Sequence, residues 1–165
     1  MTPPPSPPPF PHVLLRSKRL VQTRAGGADY RGINVRMQYY TAAARYRLTV
    51  SRAAFYPQPR VDAGLVELRL RRPEELSRLT GAGTAAGGPP EAQQRAFFAM
   101  VDAAFLSRRK MLRNSLVAWS PDAVTAGLRR AGLSELARPQ DLDAPAFVAL
   151  FNALPSPDAG KVVTA

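Results

Sequence analysis

The stretch FFAMVDAAFLSRRKMLRNSL, Phe97 to Leu116, decides the helical half of the fold. Phe98, Val101, Phe105, Leu112 and Leu116 fall in one sector of a 3.6-residue wheel, so the stretch packs an apolar stripe on a partner, as one helix or a pair of short ones. Within it, RRKML brings together Arg108, Arg109 and Lys110, and Arg113 adds a fourth cation. On a continuous helix Arg108 and Arg109 flank the stripe, while Lys110 and Arg113 continue outward from the Arg109 side. Arg108 then lays its stem on the core, and the other three form a one-sided cationic strip. A phosphate backbone suits such a strip, a solvated structural rim is the plainer reading, and a nuclear address is disfavoured by the apolar side of the helix.

The pattern stays helical toward the C-terminus. Ser120 is placed to cap a helix over Asp122–Ala131, with Pro121 at its start and Gly132 as its stop. Asp143 and Pro145 open another, whose buried stripe is Phe147, Leu150, Phe151 and Leu154. Three helices with short loops make a small bundle over residues 93–154, followed by a loose tail at 155–165.

Toward the N-terminus, PEELSRLTGAGTAAGGPPEAQQ holds a flexible linker over 75–92. Its GAGTAAGG lacks both the G-x-G-x-x-G and the G-K-[ST] spacing, and no apolar strand feeds it, which removes a phosphate-loop reading. Before it, INVRMQYY alternates Ile33, Val35, Met37 and Tyr39 with polar residues and Tyr40, the period of a half-buried strand. After a TAAA connection, RYRLTV repeats that period, and GLVELRLRR supplies a third strand ending at Pro73. The expected sheet is therefore three strands, with the first two neighbouring and antiparallel. Between the last two, AAFYPQPRVDA places Phe55 and Tyr56 before Pro57 and Pro59, then Arg60. The prolines fix φ and remove donors, making a stiff loop outside the ladder that holds an aromatic ring at low entropic cost. Capping of the core by Phe55 is the structural alternative.

Composition bounds what chemistry the chain can carry. Among 165 residues, 45% hydrophobic, 23 Lys and Arg face 12 Asp and Glu, for a formal charge of +11. A core can form, and polyanions are the first partners to consider, nucleic acid ahead of an anionic membrane. With no cysteine and a single histidine, His12, thiol nucleophiles, zinc ribbons and Ser-His-Asp chemistry lack material, and no metal site is expected. No apolar run approaches the roughly 20 residues of a membrane span. Residues 1–11, MTPPPSPPPFP, hold seven of the 17 prolines and read as an extended tail. No acidic residue precedes Asp29 whereas Arg16, Lys18, Arg19 and Arg24 do, a composition that organelle transit peptides share.

Three motifs in order carry a resemblance. FYPQPRVD fits F-x-P-x-P-[KR]-V-[DN], AFLSRRKMLRNSL fits A-F-x-x-R-R-K-x-[LI]-R-x-x-L, and RPQDLDAPAF fits R-x-x-x-L-x-x-x-[EA]-F. Together with YRGINVRMQYY and RYRLTV, they resemble the C-terminal part of the ribosomal RNA adenine N6,N6-dimethyltransferases over about Tyr30 to Leu154, with wording closest to plastid-type members.

The resemblance implies an α+β fold: the remnant of a Rossmann-like methyltransferase sheet, about three C-terminal strands and largely antiparallel, at 12–74, then the three-helix rRNA-docking domain. Family members transfer two methyl groups from S-adenosylmethionine to N6 of adjacent adenines near the 3′ end of small-subunit rRNA. By carry-over, Phe55 is the base-stacking aromatic of a substrate loop Phe55, Tyr56, Pro57, Pro59, Arg60, since an extruded adenine needs a π face. Arg108, Arg109, Lys110 and Arg113 match the basic motif that helps dock on rRNA or a pre-ribosomal particle, where Arg–phosphate pairing gives placement without reading sequence. The cofactor loop, the ribose-binding acid and the N-x-P-[YF] motif are not in the chain, and VLLRSKRLV (13–21) resembles a helix that precedes the strands. The expectation is a fragment of a dimethyltransferase that does not bind S-adenosylmethionine alone. The alternative is a non-catalytic RNA-binding module. A chloroplast location is expected, with mitochondrion or cytoplasm as alternatives, and no oligomer.

Overall fold

The computed structural model describes residues 12–15 by their backbone, and residues 25–27, 29–81 and 91–155. The Pro-rich start, most of the glycine-rich run and nearly all of the C-terminal tail lie outside these residues. The described residues form two compact units, one of 12–15 and 41–71, the other of 25–40 and 72–155.

The first unit is a sheet of β1 (His12–Leu15), β2 (Thr41–Val50) and β3 (Ala63–Leu70). β3, last in sequence, lies between the other two and is antiparallel to both. Leu14 stands opposite Leu65, Arg45 opposite Glu67 and Val50 opposite Ala63. Register shifts after Thr41 and after Tyr46 bend β2, a device that blunts an edge strand. Val66 and Leu68 are buried on one face of β3. Alternation puts Glu67 on the other, where it forms an ion pair with Arg47.

The sheet has the expected three antiparallel strands, but not the expected first one. INVRMQYY is helical, within α1 (Gly32–Tyr40), and the TAAA assigned to a connection opens β2 instead. Val35 and Tyr39 satisfy a spacing of four as well as of two, so the alternation was ambiguous. What decides is that Asn34 and Val35 are both buried, which no half-exposed strand allows, while Ile33 stays 49% exposed. The Asn34 side chain also accepts from Arg31 N–H at 2.9 Å, satisfying a first-turn donor. The missing strand comes from His12–Leu15, in the stretch that resembled a helix.

The second unit holds α1, α2 (Pro73–Thr80), α3 (Glu91–Leu106), α4 (Leu112–Ser115), α5 (Pro121–Arg130) and α6 (Ala144–Ala153). The expected three helices are thus joined by α1, α2 and the short α4. α2 occupies residues assigned to the strand end and linker. Its start was written in the sequence: Pro73 fits the first turn, and Glu75 accepts from Arg72 N–H at 2.8 Å. The expected caps on α5 and α6 are present, Ser120 Oγ accepting from Ala123 N–H and Asp143 Oδ1 from Ala146 N–H. Gly132 stops α5 at φ +68°, in the left-handed region that favours glycine. Gly127 lets α5 approach α6, since a Cβ there would lie 3.0 Å from Leu154 Cδ2.

The core of this unit runs through its aromatics. Tyr39 stacks on Phe97 at 5.1 Å, Phe97 meets Phe151 edge-on at 5.7 Å, and Phe105 and Phe147 lie 5.9 Å apart. Tyr30 donates to Gln38 Oε1 at 2.8 Å, and the same oxygen accepts from Ala144 N–H at 3.0 Å. This ties residues 30–38 to the start of α6, and burial pushes the Tyr30 hydroxyl well above its usual range. Trp119 closes the far end by donating to the Pro155 carbonyl at 2.8 Å.

Candidate nucleic-acid interface

The substrate loop expected from the sequence joins β2 to β3. Arg52–Ala54 forms a single 3-10 turn opened by Ser51, whose hydroxyl accepts from Ala53 N–H. Asp62 accepts from Arg52 N–H at 2.9 Å and so fastens the two ends of the loop. Phe55 follows in extended backbone and is half-buried, while Tyr56, joined to Pro57 by a cis bond, is fully exposed. Pro57 and Arg60 are exposed and Pro59 is half-buried. A tethered loop that presents two rings can receive a flat apolar ligand against one of them.

The cationic cluster is shaped differently from a continuous helix. α3 ends at Leu106, the chain turns over Ser107–Lys110 with Lys110 N–H donating to the Ser107 carbonyl at 2.8 Å, and α4 begins at Leu112. Wheel positions assigned across this break do not hold. The stripe survives because both helices face one core: Phe98, Val101, Leu112 and Leu116 are buried and Phe105 is partly so. Arg108 is half-buried, and Arg109 and Lys110 are exposed. All three line an open hollow with Phe105, Leu106 and Ser107. Among the described residues, no ion pair engages Arg109 or Lys110.

Sequence reasoning did not place the second side of this surface. Leu112 N–H donates to the Ala137 carbonyl at 2.9 Å, which fixes the cationic turn beside the turn that follows α5. There Arg129 hydrogen-bonds Glu135 and holds its carboxyl below the usual carboxylate range, with the charges of Arg129 and Arg113 acting in the same direction. Arg138 next to Ala137 is exposed. The surface thus carries Arg109, Lys110, Arg113, Arg129 and Arg138 against Glu135 and the exposed Asp141, whose carboxylate accepts from Arg138 N–H at 2.9 Å. In the sequence these cations are scattered over thirty residues; the Leu112–Ala137 bond and the shared packing of Leu112, Leu116, Leu128 and Ala137 bring their segments together.

The sheet unit has a smaller charged face. Arg45 opposite Glu67 and Ala43 opposite Arg69 line a hollow there.

Of the residues in GAGTAAGG, the structure describes Gly81. The glycine-rich run begins with Gly81 at φ +70° as the C-cap of α2, donating to the Ser77 carbonyl.

Comparison with known proteins gives the fold and then the relatives. No protein-family model matches the chain. The fold is shared with part of the 23S rRNA methyltransferase ErmE, with a TM-score of 0.56 at 20% identity over 88% of this chain and 54% of that one. It is shared also with a dimethyladenosine transferase from Plasmodium falciparum, with a TM-score of 0.56 at 14% identity over 86% and 55%. The fold is therefore that of part of each of these two chains.

In sequence, the chain is 35% identical over 138 residues to the chloroplastic ribosomal RNA small subunit methyltransferase of Arabidopsis thaliana, covering 82% of this chain and 36% of that protein. It is 34% identical over 130 residues to ribosomal RNA small subunit methyltransferase A of Protochlamydia amoebophila, covering 78% and 40%. Over its matched residues the chain is a relative of the small-subunit ribosomal RNA methyltransferases and corresponds to their C-terminal portion. It spans less than half the length of these relatives.

Proposed function

We propose that this chain is the rRNA-docking portion of a small-subunit rRNA adenine N6,N6-dimethyltransferase, and that it holds RNA through the cationic turn of its helical unit. The observation that carries the reading is the exposed Arg109–Lys110 pair, engaged in no ion pair among the described residues and held beside Arg113, Arg129 and Arg138 with the help of the Leu112–Ala137 bond. A cluster of this kind neutralises several phosphates and places a folded RNA without reading its sequence. The relationship to these methyltransferases supports rRNA as the polyanion, and the chloroplastic relative supports a plastid ribosome.

Ultraviolet cross-linking of the full chain to a small-subunit rRNA transcript tests this reading. Cross-linked peptides are expected from Leu106–Arg113 and Leu133–Arg138; cross-links confined to the Thr41–Leu70 sheet would overturn it.

In the same reading Phe55 stacks the target adenine while the chain's cations hold the surrounding RNA. The half-buried ring and the Asp62 tether support that role, because a ring already fixed loses little entropy when a base lands on it. The equivalent of Phe55→Ala in a complete family member should lower turnover by about 10- to 100-fold, as loss of one stacking contact of roughly 1–3 kcal/mol predicts. RNA affinity should stay within about threefold, because the phosphate contacts remain. Equal losses of turnover and affinity would mean that the ring serves packing.

A non-catalytic RNA-binding module is the second reading, since the cations of this surface lie in a unit that is compact by itself. Cross-linking is expected to give the same map for either reading.

A further inference from the structure

The helical unit buries its leucines with few exceptions. Leu112, Leu116, Leu128 and Leu150 are fully buried and Leu142 is 3% exposed, yet Leu106 is 86% and Leu136 64% exposed. Both exceptions sit on the cationic surface. Leu106 lines the hollow shared with Arg108, Arg109 and Lys110, and Leu136 directly precedes Ala137, the residue that anchors the cationic turn. Each leaves an isobutyl group in water whose burial is favourable; Leu106 stands in a hollow with Arg108, Arg109 and Lys110, and Leu136 lies two residues before the exposed Arg138.

We infer that Leu106 and Leu136 are RNA-contact side chains, packing against unstacked bases or ribose edges of folded RNA while the arginines and Lys110 pair with its phosphates. The inference rests on the docking role proposed above and adds to it the kind of RNA preferred. A charged surface with apolar points complements a polyanion that also offers apolar faces. Unpaired RNA does so through its bases, whereas in a continuous duplex those faces are stacked away and mostly phosphates and hydroxyls remain. Charge selects the polyanion; the two leucines select its unpaired segments. Glu135 strengthens the case for placement, because its carboxylate is occupied by Arg129 and lies under the influence of Arg113, so that it does not cancel Arg109 or Lys110.

The test compares the full chain with Leu106→Ser, Leu136→Ser and the double variant. Both side chains are exposed, so the variants should keep the wild-type melting temperature, which is checked first. Three probes are used: a transcript of the 3′ stem-loops of small-subunit rRNA, a fully paired RNA duplex of equal length, and a small-subunit particle. The double variant should bind the stem-loop transcript about tenfold more weakly, as loss of partial burial of two leucines predicts. The slope of log affinity against log salt should be unchanged, since no phosphate contact is lost, and duplex affinity should stay within about twofold. Unchanged affinity for the transcript overturns the inference, and so does an equal loss on the duplex. A loss seen only on a small-subunit particle and not on naked transcript overturns it in favour of a protein partner. If the wild-type chain binds none of the probes, the docking role itself falls, an outcome separate from the leucines.

Discussion

Replacing Arg109 and Arg113 together with Gln should weaken binding of small-subunit rRNA about 30-fold near physiological salt. Each exposed charge-assisted contact is taken as about 1 kcal/mol, at the low end for hydrogen bonds to charged groups because water and salt screen it. The more diagnostic change is in salt dependence. Each lost phosphate contact removes about one unit from the slope of log affinity against log salt, so the double variant should be flatter by about two. The residues differ in what else they do. Arg109 is exposed and engaged in no ion pair among the described residues, so its removal should leave stability untouched. Arg113 is half-buried and its charge reaches Glu135, so it serves the turn as well. A melting temperature that falls with the affinity, at unchanged salt slope, would show that these residues serve the fold.

The second large effect concerns what holds the surface in place. Phe147 is fully buried on α6, 5.9 Å from the Phe105 ring whose helix ends at the cationic turn. Phe147→Ala should cost about 3–5 kcal/mol through lost transfer energy and the cavity left behind. That is a large part of the 5–15 kcal/mol typical of a whole domain. In urea unfolding of the full chain, the midpoint for the helical unit should fall accordingly, and its thermal midpoint by more than about 10 °C. RNA binding should fall with it, because the turn loses the helix end that presents it. A change below about 1 kcal/mol would place Phe147 outside the core that supports the interface.

How much of this was legible in the sequence depended on how local each signal was. The stops and starts of α5 and α6 were readable because Ser120, Pro121, Gly132, Asp143 and Pro145 act within one turn of their own positions. The α+β class and the two antiparallel strands at RYRLTV and GLVELRLRR were also readable, as was the buried stripe from Phe98 to Leu116. α1 was not, since Val35 and Tyr39 fit two periods and only tertiary burial of Asn34 chose between them. β1 was missed because a four-residue strand gains its definition from pairing with β3 and not from its own pattern. α2 was missed for a different reason: the glycine-rich run that follows drew the whole segment into a linker, although Pro73 and Glu75 already marked a helix start.

The candidate site divided in the same way. Its motifs were visible as strings, and so were Phe55, Arg108, Arg109, Lys110 and Arg113 as residues. Their geometry was not, because a helix wheel drawn across Ser107–Lys110 assumes hydrogen bonds that the chain does not make there. Arg129, Glu135, Leu136 and Arg138 carry no local signal of belonging to the same surface. The backbone hydrogen bond from Leu112 to Ala137 and the core packing beneath it unite them.

The salt dependence of rRNA binding by the unaltered chain tests the central claim most directly. With Arg109, Lys110 and Arg113 each taking one phosphate, log affinity should fall against log salt with a slope of roughly −2 to −3. A slope near zero, or binding no stronger to rRNA than to an uncharged polymer of equal size, would contradict the account.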